Sequence, residues 1–294
     1  MKKLFILGII GLICFVIFSC EKKQESESIS SETLKLKLTQ KWATTQDLKV
    51  PESVLYDADR DVLFISNVNG SPLEKNGKGF ISKVTLTGEF ENLEWVTGLN
   101  APKGSGIWQN KLYVTDIDEL VEIDIETGEI INKFSAENAV FLNDITVNDS
   151  GNVYVSDMSA ENSVIYKFSD GKLEVWLQDE QISQPNGLFA EKGKLFVGTG
   201  DGFLKSVDLT DQSITTLAKT GFGIDGVQDD GKGNFLVSDW QGKTVFVSSS
   251  GEVRELMNTA DANINSADIE FIPEKQLLLI PTFFDNRVVA YLLE

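Results

Sequence analysis

The chain has 294 residues and a formal charge of −19, with 45 acidic against 26 basic side chains. That balance excludes nucleic acid as a partner, because such a surface repels phosphates; it reads either as a well-solvated exported surface or as attraction for cations. There is no histidine and there are only two cysteines, Cys14 and Cys20, so Ser-His-Asp and Cys-His triads, His general bases and His-ligated zinc fall away together.

Residues 1–20 read as a lipoprotein signal peptide. Lys2 and Lys3 form a basic start, Leu4 to Phe18 carries no charge, and Ile17-Phe18-Ser19-Cys20 resembles a lipobox. The apolar run is short for a membrane span. Cys20 is then the lipidation site. The expected location is a bacterial membrane, facing the periplasm or the cell exterior, with the lipid anchor as the sole membrane contact. An uncleaved N-terminal anchor helix is the alternative. With Cys14 removed and Cys20 lipidated, no disulfide and no thiolate chemistry remain. Residues 21–33 are polar and read as a flexible tether.

Residues 34–294 are strand and turn throughout. Leu34-Lys35-Leu36-Lys37-Leu38 and Val121-Glu122-Ile123-Asp124-Ile125 alternate with period two. Asp149-Ser150-Gly151-Asn152 and Ser169-Asp170-Gly171-Lys172 are hairpin turn signals. Six polar or small anchors, Glu52, Lys103, Asn143, Asn186, Asp225 and Ala267, recur at intervals of 51, 40, 43, 39 and 42 residues. Each precedes an apolar triplet with a polar end, such as Tyr113-Val114-Thr115-Asp116 or Leu236-Val237-Ser238-Asp239. A period near 40 with about four strands per unit predicts a six-bladed β-propeller. The long first interval holds a Gly/Pro/Asn-rich insertion, residues 69–79, expected to lie over one face. The last unit has room for only three strands, so Leu34 to Trp42 is expected to pair with the C-terminal strand and close the last blade.

The innermost strand of each blade lines the channel, so the anchors form a ring at one mouth. Carboxylates and amides facing one another need either waters or a cation, and a hard cation such as calcium suits oxygen donors. Lys103 in that ring has three readings: it binds a substrate carboxylate or assists a leaving group, it ion-pairs with Glu52 or Asp225, or it faces solvent. Trp240, Phe283 and Phe284 follow the triplets and form either an apolar binding rim or packing between blades.

Four local motifs carry a resemblance. They are Pro51-Glu52-Ser53; Phe141-Leu142-Asn143-Asp144 followed by Gly151-Asn152-Val153-Tyr154; Gln184-Pro185-Asn186-Gly187-Leu188; and Ile224-Asp225-Gly226-Val227. In order and at blade spacing, they resemble the family of gluconolactonase, regucalcin and luciferin-regenerating enzyme. The resemblance implies a divalent metal, usually calcium, on Glu52, Asn186 and Asp225, with Asn143 toward the substrate. It implies hydrolysis of a lactone or small ester, with Asp225 as general base and Lys103 as a candidate helper. Phe141 stands where sugar-acid lactonases of this kind often carry Arg, which argues against a sugar-acid substrate. The competing expectation is a non-catalytic propeller that binds a ligand or a protein partner on its channel face.

Overall fold

The computed structural model describes Met1 and residues 36–294. The signal peptide, Cys20, the tether and the first two residues expected in the propeller lie outside the described residues. Strand β1 (Leu38–Ala43) comes first in the chain but belongs to the last blade. Blade 1 is β2 (Pro51–Asp57), β3 (Val62–Asn67), β4 (Gly79–Thr85) and β5 (Phe90–Leu99). Blade 2 is β6 (Pro102–Trp108), β7 (Lys111–Asp116), β8 (Glu119–Asp124) and β9 (Ile130–Ser135). Blade 3 is β10 (Leu142–Val147), β11 (Val153–Asp157), β12 (Val164–Ser169) and β13 (Lys172–Leu177). Blade 4 is β14 (Pro185–Glu191), β15 (Lys194–Thr199), β16 (Phe203–Asp208) and β17 (Ile214–Lys219). Blade 5 is β18 (Val227–Asp229), β19 (Phe235–Asp239), β20 (Lys243–Val247) and β21 (Val253–Asn258). Blade 6 is β22 (Glu270–Ile272), β23 (Leu277–Pro281), β24 (Val288–Leu293) and then β1 on the outside.

The expected six-bladed propeller is therefore what the chain forms. The ring closes as the sequence implies, with Leu38 opposite Leu293 and Ala43 opposite Val289 in an antiparallel pair. Backbone hydrogen bonds between Lys37 and Glu294 extend that pairing by one residue. The closing strand ends one residue later than expected, at Ala43.

The hydrophobic core is a set of six seams between neighbouring blades. Tyr113 and Leu120 of blade 2 meet Ile145, Val155 and Tyr166 of blade 3. Leu63 and Ile65 of blade 1 meet Leu279, Val288 and Ala290 of blade 6. Because each sheet is covered on both faces, its middle strands are apolar along most of their length, and all six residues of β3 are buried. Outer strands such as β5 and β9 have one edge toward solvent and alternate instead.

The polar residue that ends each apolar triplet has a definite task. It caps the loop that leads into the next blade. Asp116 accepts from the backbone N–H groups of Asn100 (2.9 Å) and Ala101 (2.7 Å). Asp157 does the same for Val140 (2.8 Å) and Phe141 (3.2 Å). Asn67 accepts from Lys49 N–H at 2.9 Å. The preceding hydroxyl reaches sideways to the next inner strand: Thr115 Oγ1 donates to Asn143 O and Ser238 Oγ to Ala267 O (2.8 Å). Each triplet thus fixes the height of the neighbouring anchor.

Candidate functional site

Glu52, Lys103, Asn143 and Asn186 each sit at the start of an inner strand, on β2, β6, β10 and β14. At each of these points the ladder to the second strand shifts register, between Pro51 and Ser53, Pro102 and Ser105, Leu142 and Ile145, and Pro185 and Leu188. A bulge releases a side chain from the alternation and re-aims it. Two bulges follow non-glycine residues in the left-handed region, Val50 at φ 55° and Gln184 at φ 48°, strain that surrounding structure must hold. Asp225 precedes β18, tied by its N–H to Ser238 O at 2.9 Å.

The glycines after two anchors allow close approach. A Cβ on Gly187 would sit 2.1 Å from the Asp225 carbonyl oxygen, and one on Gly226 would sit 2.6 Å from Ile269 N. The inner strands crowd the axis here, so the Asn-Gly and Asp-Gly pairs are a packing requirement as well as a site signature.

Glu52, Lys103, Asn143, Asn186, Asp225 and Phe141 all line one cavity of about 580 Å³. Ala267 is not among the lining residues; its methyl carries no polar group, and blade 6 contributes Phe283 and Phe284 to the cavity instead. The insertion reaches the same cavity through Gly70, Ser71 and Pro72, as expected of a loop over one face.

Asn186 Nδ2 donates to Asp225 Oδ1 at 2.8 Å. Asn143 Nδ2 donates to the Met158 sulfur at 2.7 Å. With both amide nitrogens directed away, Glu52 Oε2, Asn143 Oδ1 and Asn186 Oδ1 are buried and find no donor among the described residues. Burial, and then the Asp225 charge, push the Glu52 carboxyl well above its ordinary range, while Lys103 opposes. Asp225 is pushed up to about 7, chiefly by burial, against the Asn186 hydrogen bond. Among the described residues no three His, Cys, Asp or Glu side chains gather as a metal site. The donor set here is instead two carboxylates and two amides, all hard oxygen ligands of the kind calcium takes.

Lys103 is 1% exposed, which overturns the solvent-facing reading. It makes no ion pair with Glu52 or Asp225 among the described residues. Its Nζ donates to Ala101 O at 2.9 Å and lies 4.9 Å from the centre of the Phe141 ring. Burial pulls its ammonium down to about 8, with Glu52 opposing.

Trp240, Phe283 and Phe284 form a mutually edge-on trio, with ring centres 4.8 to 5.9 Å apart. Both readings of them hold in part: Phe283 is buried as packing, while Trp240 and Phe284 are 41% and 61% exposed, and all three line the cavity. Val68 and Met158 also line it and escaped sequence reasoning. The signal was available, because each directly follows a triplet's polar end, as Trp240 and Phe283 do.

Deeper in the channel lies a second acidic group. Asp144 accepts from the backbone N–H groups of Ile145 and Leu188, both at 2.6 Å, and Asp268 lies within hydrogen-bonding reach of it. Burial pushes Asp144 up to about 7 and Asp268 well above its ordinary range. Glu270 faces the channel and keeps some accessible surface, yet burial and then Asp144 push it up to about 8. These groups line a smaller cavity of about 260 Å³ that shares none of the first cavity's lining residues.

No protein-family model matches the sequence, and no curated protein does. Solved structures match in fold. Virginiamycin B lyase from Staphylococcus aureus aligns over 88% of this chain and 100% of that one, with TM-score 0.62 and 15% identity. The WD40 propeller domain of Doa1 aligns over 81% and 77%, with TM-score 0.61 and 14% identity. The extracellular domain of the one-component system BT4673 from B. thetaiotaomicron aligns over 82% of this chain and 32% of that chain, with TM-score 0.55 and 15% identity. A lyase, a WD40 domain and a receptor ectodomain share an architecture and no common activity. The propeller stands on these matches, while the gluconolactonase-type resemblance rests on the motifs alone.

Proposed function

We propose that the protein is a hydrolase of lactones or small esters that works with a divalent cation, calcium by the chemistry of its donors. One observation carries this reading. Glu52 Oε2, Asn143 Oδ1 and Asn186 Oδ1 are buried without donors beside Asp225, on one cavity. Buried acceptors without partners are costly, and one hard cation satisfies several at once. Glu52, Asn186 and Asp225 would hold it, with Asn143 toward the substrate. When bound, it supplies positive charge where the carbonyl oxygen turns negative.

The remaining work falls to the side chains. Asn186 fixes the Asp225 carboxylate through Oδ1, and Oδ2 takes the proton of the attacking water. Lys103, held by the Ala101 carbonyl, gives a proton to the leaving alkoxide. The aromatic walls keep bulk water from the reacting carbonyl.

Lys103 also favours a second reading. A buried ammonium in the ring opposes a dication and suits an anionic ligand, which gives a non-catalytic propeller that binds a small molecule or a protein partner on this face. The two are separated by melting the protein and assaying a panel of lactones and small esters, with calcium and with chelator. Calcium should raise the melting temperature and support turnover, and Asp225→Ala should lose both. A melting temperature indifferent to chelator, with no turnover across the panel, would leave the binding propeller.

A further inference from the structure

The cavity divides sharply into a polar floor and an apolar wall. The wall is built from one equivalent position repeated around the ring, the residue directly after each triplet's polar end. That residue is Val68, Ile117, Met158, Gly200, Trp240 and Phe283 in blades 1 to 6. Four of these six line the cavity, and all four are apolar. Ile117 is buried beside Val68. Phe141, Phe284 and Pro72 continue the wall toward the mouth.

Two features show that this wall is more than blade packing. Phe283 holds φ at 49°, a left-handed conformation that is a genuine outlier for a bulky side chain. The turn that imposes it is pinned by Thr282 Oγ1 to Arg287 O (2.9 Å) and by Asn286 N–H to Phe283 O (3.0 Å). It delivers two successive aromatic rings to the cavity, one of them mostly in solvent. Seam packing alone asks for neither the strain nor the exposed ring.

The floor offers acceptors and few free donors. The amide nitrogens of Asn143 and Asn186 and the Lys103 ammonium already donate, to Met158, Asp225 and Ala101. Along the wall the only hydroxyl is that of Ser71. Each buried ligand hydroxyl left without a partner weakens binding, so a polyhydroxylated ligand finds no match for its several oxygens. An apolar body loses nothing here and gains with every methylene removed from water.

From this division we infer that the ligand is amphipathic, with one carbonyl-bearing polar head at the ring and an unsubstituted alkyl or aryl body against Met158, Trp240, Phe283 and Phe284. Resting on the hydrolase reading, it makes the substrate a lactone or ester with a hydrophobic tail and excludes sugar-acid lactones. A cavity of about 580 Å³ is ordinary for a small-molecule site.

The test uses two series on the calcium-supplemented protein. Turnover is measured on γ-lactones with unbranched alkyl tails of increasing length, beside a sugar-acid lactone. Binding is measured on the corresponding alkyl γ-lactams, which resist cleavage, by tryptophan fluorescence. We expect kcat/KM and lactam affinity to rise about threefold to fourfold per methylene until the cavity is filled, and the sugar lactone to fall at least tenfold below the best alkyl lactone. Trp240→Ala and Phe284→Ala, both at exposed positions that tolerate truncation, should flatten the slope in both series. Turnover with no dependence on tail length, or a sugar lactone preferred over the alkyl ones, overturns the amphipathic ligand while leaving the hydrolase intact. Graded lactam binding without any turnover leaves the ligand class standing and removes the hydrolase. Absence of both removes both.

Discussion

Lys103 is the residue on which the chemistry turns. Its ammonium is almost fully buried, yet its hydrogen-bond acceptor is a neutral carbonyl rather than a carboxylate. A charge buried without an ion pair is costly, and a cation held by Glu52, Asn186 and Asp225 would face it across the same ring. Lys103→Met keeps the volume and removes the charge. Its melting temperature should be unchanged or higher. Calcium should bind about tenfold more tightly or better, since ~1.4 kcal/mol of relieved repulsion already gives that factor. Turnover should fall about a hundredfold with the proton donor gone. Calorimetric titration and steady-state kinetics read the two effects separately. Calcium affinity that does not change would show that Lys103 and the cation do not share the ring.

At the scale of the element, the repeating unit is a strand end that holds its neighbour's loop. Asp116, with no exposed surface, accepts from two consecutive backbone N–H groups at Asn100 and Ala101, and Ala101 in turn holds Lys103. Asp116→Ala leaves those donors buried and unpaired, so stability should drop by about 2–4 kcal/mol. Urea denaturation measures it, and a loss under 1 kcal/mol would mean the loop finds other acceptors. The blades and the closing strand were legible in the sequence because period-two alternation, turn residues and the spacing near 40 all agree. The ring of anchors was legible for the same reason, since equivalent positions on equivalent strands must converge at the axis. Val68 and Met158 were not read, because a residue just past a strand end carries no periodic signal of its own. The hydrogen bond from Asn143 to the Met158 sulfur, and the orphaned oxygens it helps create, depend on rotamers that no spacing encodes.

Across the whole molecule the channel gathers carboxyls that resist ionisation. Asp144 and Asp225 keep their protons up to about 7 and Glu270 up to about 8, whereas in the unfolded chain they lose them near pH 4. Folding therefore takes up protons in that window. The stability these groups allow is full below about pH 4 and declines as pH rises toward 8. The net charge of −19 acts in the same direction through self-repulsion. With chelator present, the melting temperature should be lower at pH 8 than at pH 5.5, and calcium should narrow the gap by offsetting the charge of Glu52 and Asp225. Melting curves at the two pH values decide it; a chelated protein that gains stability toward pH 8 would contradict the burial of these groups. The closing blade has a further consequence, in the timing of synthesis. β1 pairs with β24, and the Thr39 hydroxyl meets the Glu294 carboxylate across 255 residues of chain. The first strand made is thus among the last to find its partner. Until β24 is delivered, five blades form an open arc with two bare edges, and contacts of such long range close slowly. A chain stalled short of β24 is the species most exposed to aggregation, so the final strand acts as the checkpoint between a vulnerable arc and a sealed disc.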